Sequence, residues 1–192
     1  MTQEIEIEFK NMVTEKEFQA LCNVFSIQSF VKQVNHYFET SQFSLKTAGS
    51  ALRIRHKAGT YTLTLKQPAT IGLLETHQSL TEKEALFMME TNQIIPGAVA
   101  KQLDELQIPV SNLAYMGSLT TERAETPFEG GILVFDHSFY YNHNDYELEY
   151  EVQDEPAGKA AFTKLLNQHH IPVRHTQNKV QRFFLAKQKE AR

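Results

Sequence analysis

Cysteine is almost missing from this chain of 192 residues: there is one, Cys22, and there is no tryptophan. A lone thiol excludes an intrachain disulfide and fits a reducing compartment. Cys22 sits at helical spacing, where a packed, inert thiol is expected. A basic excess is missing too. With 19 Lys and Arg against 23 Asp and Glu, the formal charge is −4, so the chain lacks the electrostatic footprint of a binder of nucleic-acid duplexes. No apolar run approaches the length that spans a bilayer, and the acidic, alternating N-terminal residues do not read as a signal peptide. A cytoplasmic protein without a membrane partner is the expectation. No tandem repeat, low-complexity block or Gly/Ser-rich linker interrupts the sequence, so one domain over residues 1–192 is expected. Nothing in the sequence sets an oligomeric state.

Several chemical motifs are missing as well. There is no Gly-rich phosphate loop ending in Gly-Lys-Ser/Thr. There is no His-Glu-x-x-His or Cys/His spacing for zinc, and no nucleophile elbow for Ser/His/Asp catalysis. His137, His143, His169, His170 and His175 therefore read as surface or locally bonded residues.

What is present is alternation. "EIEIEFK" places Glu4, Glu6, Glu8 and Lys10 on one strand face and Ile5, Ile7 and Phe9 on the other. The pattern recurs: Arg53 and Arg55 oppose Leu52 and Ile54, Thr62, Thr64 and Lys66 oppose Leu63 and Leu65, and Glu147, Glu149 and Glu151 oppose Leu148, Tyr150 and Val152. Strands are predicted near 3–10, 31–39, 51–58, 61–67, 73–79, 117–125, 131–141 and 146–153. Ala58-Gly59 is a tight connection, Gly130-Gly131 precedes the seventh strand, and Asn142–Asp145 is the expected turn between the last two. Capping boxes at Thr14–Glu17 and Thr81–Glu84 open helices. Further amphipathic helices are predicted over 97–107 and 156–170, with a last one near 178–189.

Eight mostly sequential strands suggest an α+β fold: a closed antiparallel barrel with helices on its outside, since closure removes exposed edges. The helices would cover the oily strand faces and leave the charged faces inside. Such an interior is not a dry core, because burying unpaired ions costs several kcal/mol each. Paired carboxylates on one strand face suit a hard divalent cation such as Mg²⁺ or Mn²⁺. Arg53, Arg55, Lys66 and Arg123 suit phosphate oxygens. Metal plus a basic lining describes a site for a chain of phosphates, where catalysis is mostly positioning and charge neutralisation.

These residues resemble the CYTH family, the triphosphate tunnel metalloenzymes. The resemblance runs through "EIEFK" (Glu6 to Lys10), "YFET" (Tyr37 to Thr40), "ALRIR" (Ala51 to Arg55), "TLTLK" (Thr62 to Lys66), Arg123, Asp136, "LEYEV" (Leu148 to Val152), Lys179 and Arg182. It implies an eight-stranded tunnel and a metal-dependent phosphohydrolase acting on inorganic triphosphate or a small triphosphate compound. A tunnel-type adenylyl cyclase and a non-catalytic polyphosphate or nucleotide binder are the alternatives. By the resemblance, Glu6, Glu8 and Glu151 hold the activating metal, and Glu149 holds a second metal or orients the attacking water. Lys10, Arg53, Arg55, Lys66, Arg123 and Lys179 grip the phosphates, Arg182 assists, and Asp136 is an acidic position near the metals. Lys10 and Glu149 are the expected catalytic pair.

Some positions depart from the pattern. Glu39 stands where the family often has Asp. Glu4 and Glu147 extend the carboxylate pairs, and the base rate for acidic residues assigns both to solvent. Glu75 is a further candidate after the fifth strand.

Overall fold

The computed structural model describes residues 2–190. Its strands are β1 (Thr2–Val13), β2 (Val31–Thr40), β3 (Ala51–Lys57), β4 (Thr60–Pro68), β5 (Leu73–Leu80), β6 (Leu113–Phe128), β7 (Gly131–Tyr140) and β8 (His143–Val152). The helices are α1 (Glu15–Val24), α2 (Ser44–Thr47), α3 (Glu82–Thr91), α4 (Ala98–Glu105), α5 (Glu155–Gln168) and α6 (Lys179–Glu190). The strand order β1-β5-β4-β3-β2-β6-β7-β8 closes on itself, giving the expected antiparallel barrel. None of the described helices is long and apolar enough to cross a membrane.

Local sequence explains the corners. Lys57 pairs with Thr60, so Ala58 and Gly59 alone make the turn, at φ +49° and +76°. Positive φ at both central residues matches the twist of a two-residue hairpin. The last hairpin corrects an expectation: Tyr140 pairs with His143, so Tyr141 and Asn142 form the turn, and β8 begins inside the segment expected to be a loop. With Tyr141 at φ +51°, two residues close the hairpin, which leaves the backbone of His143, Asn144 and Asp145 free to pair with β7.

The chain divides into two compact units, one of Met1–Ile5 and Gln33–Leu119, the other of Glu6–Lys32 and Thr120–Arg192. In the first, Phe38, Leu52, Ile54, Leu63, Leu65 and Leu80 of the strands pack under Ala85 and Met88 of α3 and Val99 and Leu103 of α4. In the second, Leu133, Phe135, Leu148 and Tyr150 pack under Phe18 and Leu21 of α1 and Ala161, Phe162, Leu165 and Leu166 of α5. Burying each of the Val, Leu, Ile, Phe and Met side chains among these stabilises by roughly 1.5–3 kcal/mol, which orients the strands: alternate residues must face away from the helices. Both capping boxes form, through Thr14 with Glu17 and Thr81 with Glu84. Gly158 lets α5 lie close on its strands, since a Cβ there would come within 2.6 Å of Val152 Cγ2. Cys22 packs on α1 against the second core, and burial pushes its thiol up.

The link between α5 and α6 is tied to β1. Arg174 donates two hydrogen bonds of 2.9 Å to the Glu17 carboxylate, and its backbone N–H donates to Asn11 Oδ1 at 2.7 Å. The Met12 N–H donates to Thr176 Oγ1 at 2.9 Å. These bonds fix where α6 starts.

Candidate active site

In the second unit, strand pairing assembles the acidic residues. β1 and β8 are antiparallel neighbours with Glu8 opposite Glu151, Lys10 opposite Glu149 and Met12 opposite Glu147. Directly opposed residues share a face, and the other face of β8 carries Leu148 and Tyr150 into the helical core. Glu6, Glu8 and Lys10 therefore share a face with Glu149 and Glu151. Across β7 and β6, Asp136 lies opposite both Glu147 and Arg123, so Asp136 faces the same way.

α6 completes a buried ionic network. Lys179 Nζ lies 2.5 Å from Glu149 Oε1, 2.8 Å from Asp136 Oδ2 and 3.2 Å from Glu147 Oε2. Arg123 donates from Nε and Nη2 to both Asp136 oxygens, at 2.7 and 2.6 Å, and from Nη2 to Glu149 Oε2 at 2.6 Å. Arg182 reaches Glu147 at 2.5 Å and Asp145 at 2.9 Å. Lys10 Nζ donates to Glu8 Oε1 at 2.7 Å.

The electrostatics split the carboxylates into two kinds. Burial acts to raise Glu149, but Lys179, Arg123 and Lys10 outweigh it and hold its carboxyl well below the usual range. Asp136 is likewise lowered, with burial opposed by Arg123 and Lys179. Glu151 goes the other way. Burial and the neighbouring charges of Glu6, Glu149 and Glu8 outweigh Arg123 and push it up to about 7. The charges of Glu6 and Glu8 thus act on Glu151, and carboxylate oxygens are the type of donor that a hard divalent cation takes. Asp136 does not offer itself in the same way: it is fully buried, and both oxygens are taken by Arg123 and Lys179.

In the first unit the basic residues gather on the face away from α3 and α4. Tyr37, Arg53, Thr64 and His77 are opposed in turn across β2 to β5, and Lys66 is opposed to Glu75. Arg55 Nε donates to Asn35 Oδ1 at 2.9 Å. Glu75 Oε1 lies 3.5 Å from Lys66 Nζ and 3.8 Å from Arg53 Nη2. Burial acts to raise Glu75, and Arg53, Lys66, His77 and Arg55 together lower it. Arg53 Nε is buried without a hydrogen-bond partner among the described residues. Such an orphaned donor fits an anion's oxygen.

Two departures from the sequence reading are resolved here. Glu147 is not solvated but fully buried between Lys179 and Arg182. Its parity with Glu149 and Glu151 carried the signal; the surface base rate overrode it, and the cations that pair with it lie more than thirty positions along the chain, while burial and the charge of Glu149 push its carboxyl up. Glu39 is a structural residue. Oε1 accepts from the backbone N–H groups of Thr40 and Leu45 at 2.8 and 3.0 Å, and Oε2 accepts from that of Lys46 at 3.0 Å. Its carboxylate caps α2, a helix too short to show periodicity in sequence. Glu4, by contrast, has a side chain 66% exposed.

The domain model described as "CYTH domain" matches residues 4–184. The chain is 49% identical over 191 residues to the Bacillus subtilis (strain 168) protein named "Putative triphosphatase YjbK", covering 98% of this chain and 99% of that one. A crystal structure from Bacillus halodurans, described as a putative adenylate cyclase, superposes with a TM-score of 0.93 at 45% identity, covering 96% of this chain and all of the other. The Hippeastrum protein HpAC1, described as a putative adenylyl cyclase with a dominant triphosphatase activity, shares the fold: TM-score 0.78, 22% identity, 95% of this chain and 96% of that one covered.

Proposed function

From the premise that the chain belongs to the CYTH domain family, we propose that it is a divalent-metal-dependent phosphohydrolase of inorganic triphosphate or a small triphosphate compound. Water attacks the terminal phosphorus, the bridging P–O bond breaks, the shortened chain (diphosphate, for inorganic triphosphate) departs with the bridging oxygen, and the attacked phosphoryl becomes orthophosphate. The observation that carries this is the separation of carboxylates in the second unit: Glu149 neutralised by Lys179 and Arg123, while Glu6, Glu8 and Glu151 crowd negative charge until Glu151 rises to about 7. The relative named as a triphosphatase, almost half identical along its whole length, supports the same reading.

Glu6, Glu8 and Glu151 hold Mg²⁺ or Mn²⁺ in this proposal. The bound cation supplies Lewis acidity at phosphate oxygens. Arg53, Arg55 and Lys66, with Lys10, Arg123 and Lys179, bind the phosphates and neutralise charge that develops as the bond breaks. Glu149 is too acidic to take a proton efficiently near neutral pH; it orients the attacking water as an acceptor. Asp136 acts through Arg123 and Lys179, fixing both, and Arg182 does the same for Glu147. The proposal places the protein in the cytoplasm, on the strength of its single cysteine.

The likeness to the Bacillus halodurans protein favours a second reading, in which the ribose 3′-hydroxyl of ATP attacks the α-phosphate and pyrophosphate leaves. One panel separates them: triphosphate, thiamine triphosphate, ATP and longer polyphosphate, each with Mg²⁺ and with Mn²⁺, with product identification. Orthophosphate is expected. Cyclic AMP with pyrophosphate supports the cyclase, and saturable binding without turnover overturns both.

A further inference from the structure

Glu4, Glu75 and His77 form another group of ligating side chains, none of which the proposed function uses. All three belong to the first unit. Glu75 and His77 are two apart on β5 and share a face. His77 Nε2 lies 3.1 Å from Glu4 Oε1 and 3.4 Å from Glu75 Oε2. One ligand atom from each of the three falls within 4.8 Å of the others.

Two further observations point to a ligand. The far side of the ring is anchored: His77 Nδ1 lies 3.0 Å from Thr64 Oγ1, its cross-strand partner. A ligating histidine typically gives its other ring N–H to an oxygen, which fixes the tautomer and aims the free nitrogen. The Nε2–H of the metal-free ring donates to Glu4 Oε1 at 3.1 Å; with Nδ1–H held by Thr64, a cation would displace that Nε2 proton and take the lone pair between the two carboxylates. Glu75, moreover, has a side chain only 6% exposed, and its Oε1 is buried without a hydrogen bond. Oε1 faces Lys66 and Arg53 at 3.5 and 3.8 Å, so Oε2, 3.4 Å from His77 Nε2, is the oxygen left for a cation.

We propose that Glu4, Glu75 and His77 bind a divalent cation of borderline softness, of the Zn²⁺ or Co²⁺ class, through one imidazole nitrogen and two carboxylate oxygens. The donor set distinguishes this site from the group of Glu6, Glu8 and Glu151. All-oxygen ligands suit Mg²⁺ and Mn²⁺, whereas an imidazole shifts preference toward zinc and its neighbours. Three protein ligands leave a tetrahedral ion one open position.

The test is Zn²⁺ binding by calorimetry to the full chain carrying E6Q and E8Q, which silences the all-carboxylate group, with Co²⁺ absorption as a second readout of nitrogen ligation. A saturable site is expected. H77Q and E4Q should each weaken it by at least roughly tenfold, and T64V, which removes only the anchor, by about 10–100-fold. Glu4 is largely exposed, so E4Q keeps the test decisive even where H77Q disturbs folding. An isotherm unchanged by E4Q, or a loss with H77Q that neither E4Q nor T64V shares, overturns the proposal. Because the readout is Zn²⁺ affinity and not turnover, the result is independent of the triphosphatase reading.

Discussion

Arg123 and Asp136 stand directly opposite each other on β6 and β7, joined fork to fork by hydrogen bonds of 2.7 and 2.6 Å. Lys179 closes on the same carboxylate from α6 at 2.8 Å. Asp136 is thus the shared anchor of two cations proposed to meet phosphate. Removing its charge by D136N leaves a buried guanidinium and ammonium under-compensated. A loss of about 3–5 kcal/mol is expected in urea unfolding, with metal affinity of the folded variant little changed. Intact stability with lost metal affinity would instead make Asp136 a ligand.

Glu151 gives the protein a pH signature. Its carboxyl is raised to about 7 by burial and by Glu6, Glu149 and Glu8. A raised folded-state value means that the protonated form stabilises the metal-free fold, an effect present at low pH and lost as pH rises through about 7. Metal-free thermal stability should therefore fall between pH 5 and 8, and E151Q should flatten that fall. Mg²⁺ or Mn²⁺ competes with the proton, so metal affinity by calorimetry should rise over the same interval.

Turnover should separate the two charged sets. E6Q and E8Q are expected to abolish both activity and its dependence on Mg²⁺ or Mn²⁺. R53A and K66A remove charge-assisted hydrogen bonds worth about 1.5–3 kcal/mol each, so kcat/KM should drop roughly 10–100-fold. Steady-state phosphate release with each metal checks this, and normal kinetics in all four variants would falsify the assignment.

Glu39 provides a contrast. E39A strands three backbone N–H groups, that of Thr40 at the end of β2 and those of Leu45 and Lys46 in α2, and should cost about 1–3 kcal/mol of stability. Because its carboxylate is spent on Thr40, Leu45 and Lys46, KM for the triphosphate should stay unchanged in the folded variant. E39D, one methylene shorter, should recover only part of the stability.

Much of this was legible before any coordinates. Strict alternation in "EIEIEFK", "LRIRHK" and "YELEYEV" marks which residues share a face, because a strand's period of two allows no other arrangement. Capping boxes at Thr14 and Thr81 mark helix starts through local hydrogen bonds alone. The α2 helix was not legible, since four residues cannot display a 3.6-residue period and its cap comes from Glu39, on the preceding strand.

Left to itself, the amino-acid order determined the strands, their charged and oily faces, and the grouping of carboxylates on some strands and basic residues on others, all of which follow from spacing a few residues long. The tertiary structure decided which charges are neutralised. Glu147 is buried where Lys179 and Arg182 arrive from α6, Glu149 is acidic because Lys179 and Arg123 converge on it, and Glu151 is weakly acidic because burial and the charges of Glu6, Glu149 and Glu8 outweigh Arg123. A carboxylate's state depends on the solvent and charges within a few ångströms, and those neighbours come from residues far apart in the chain.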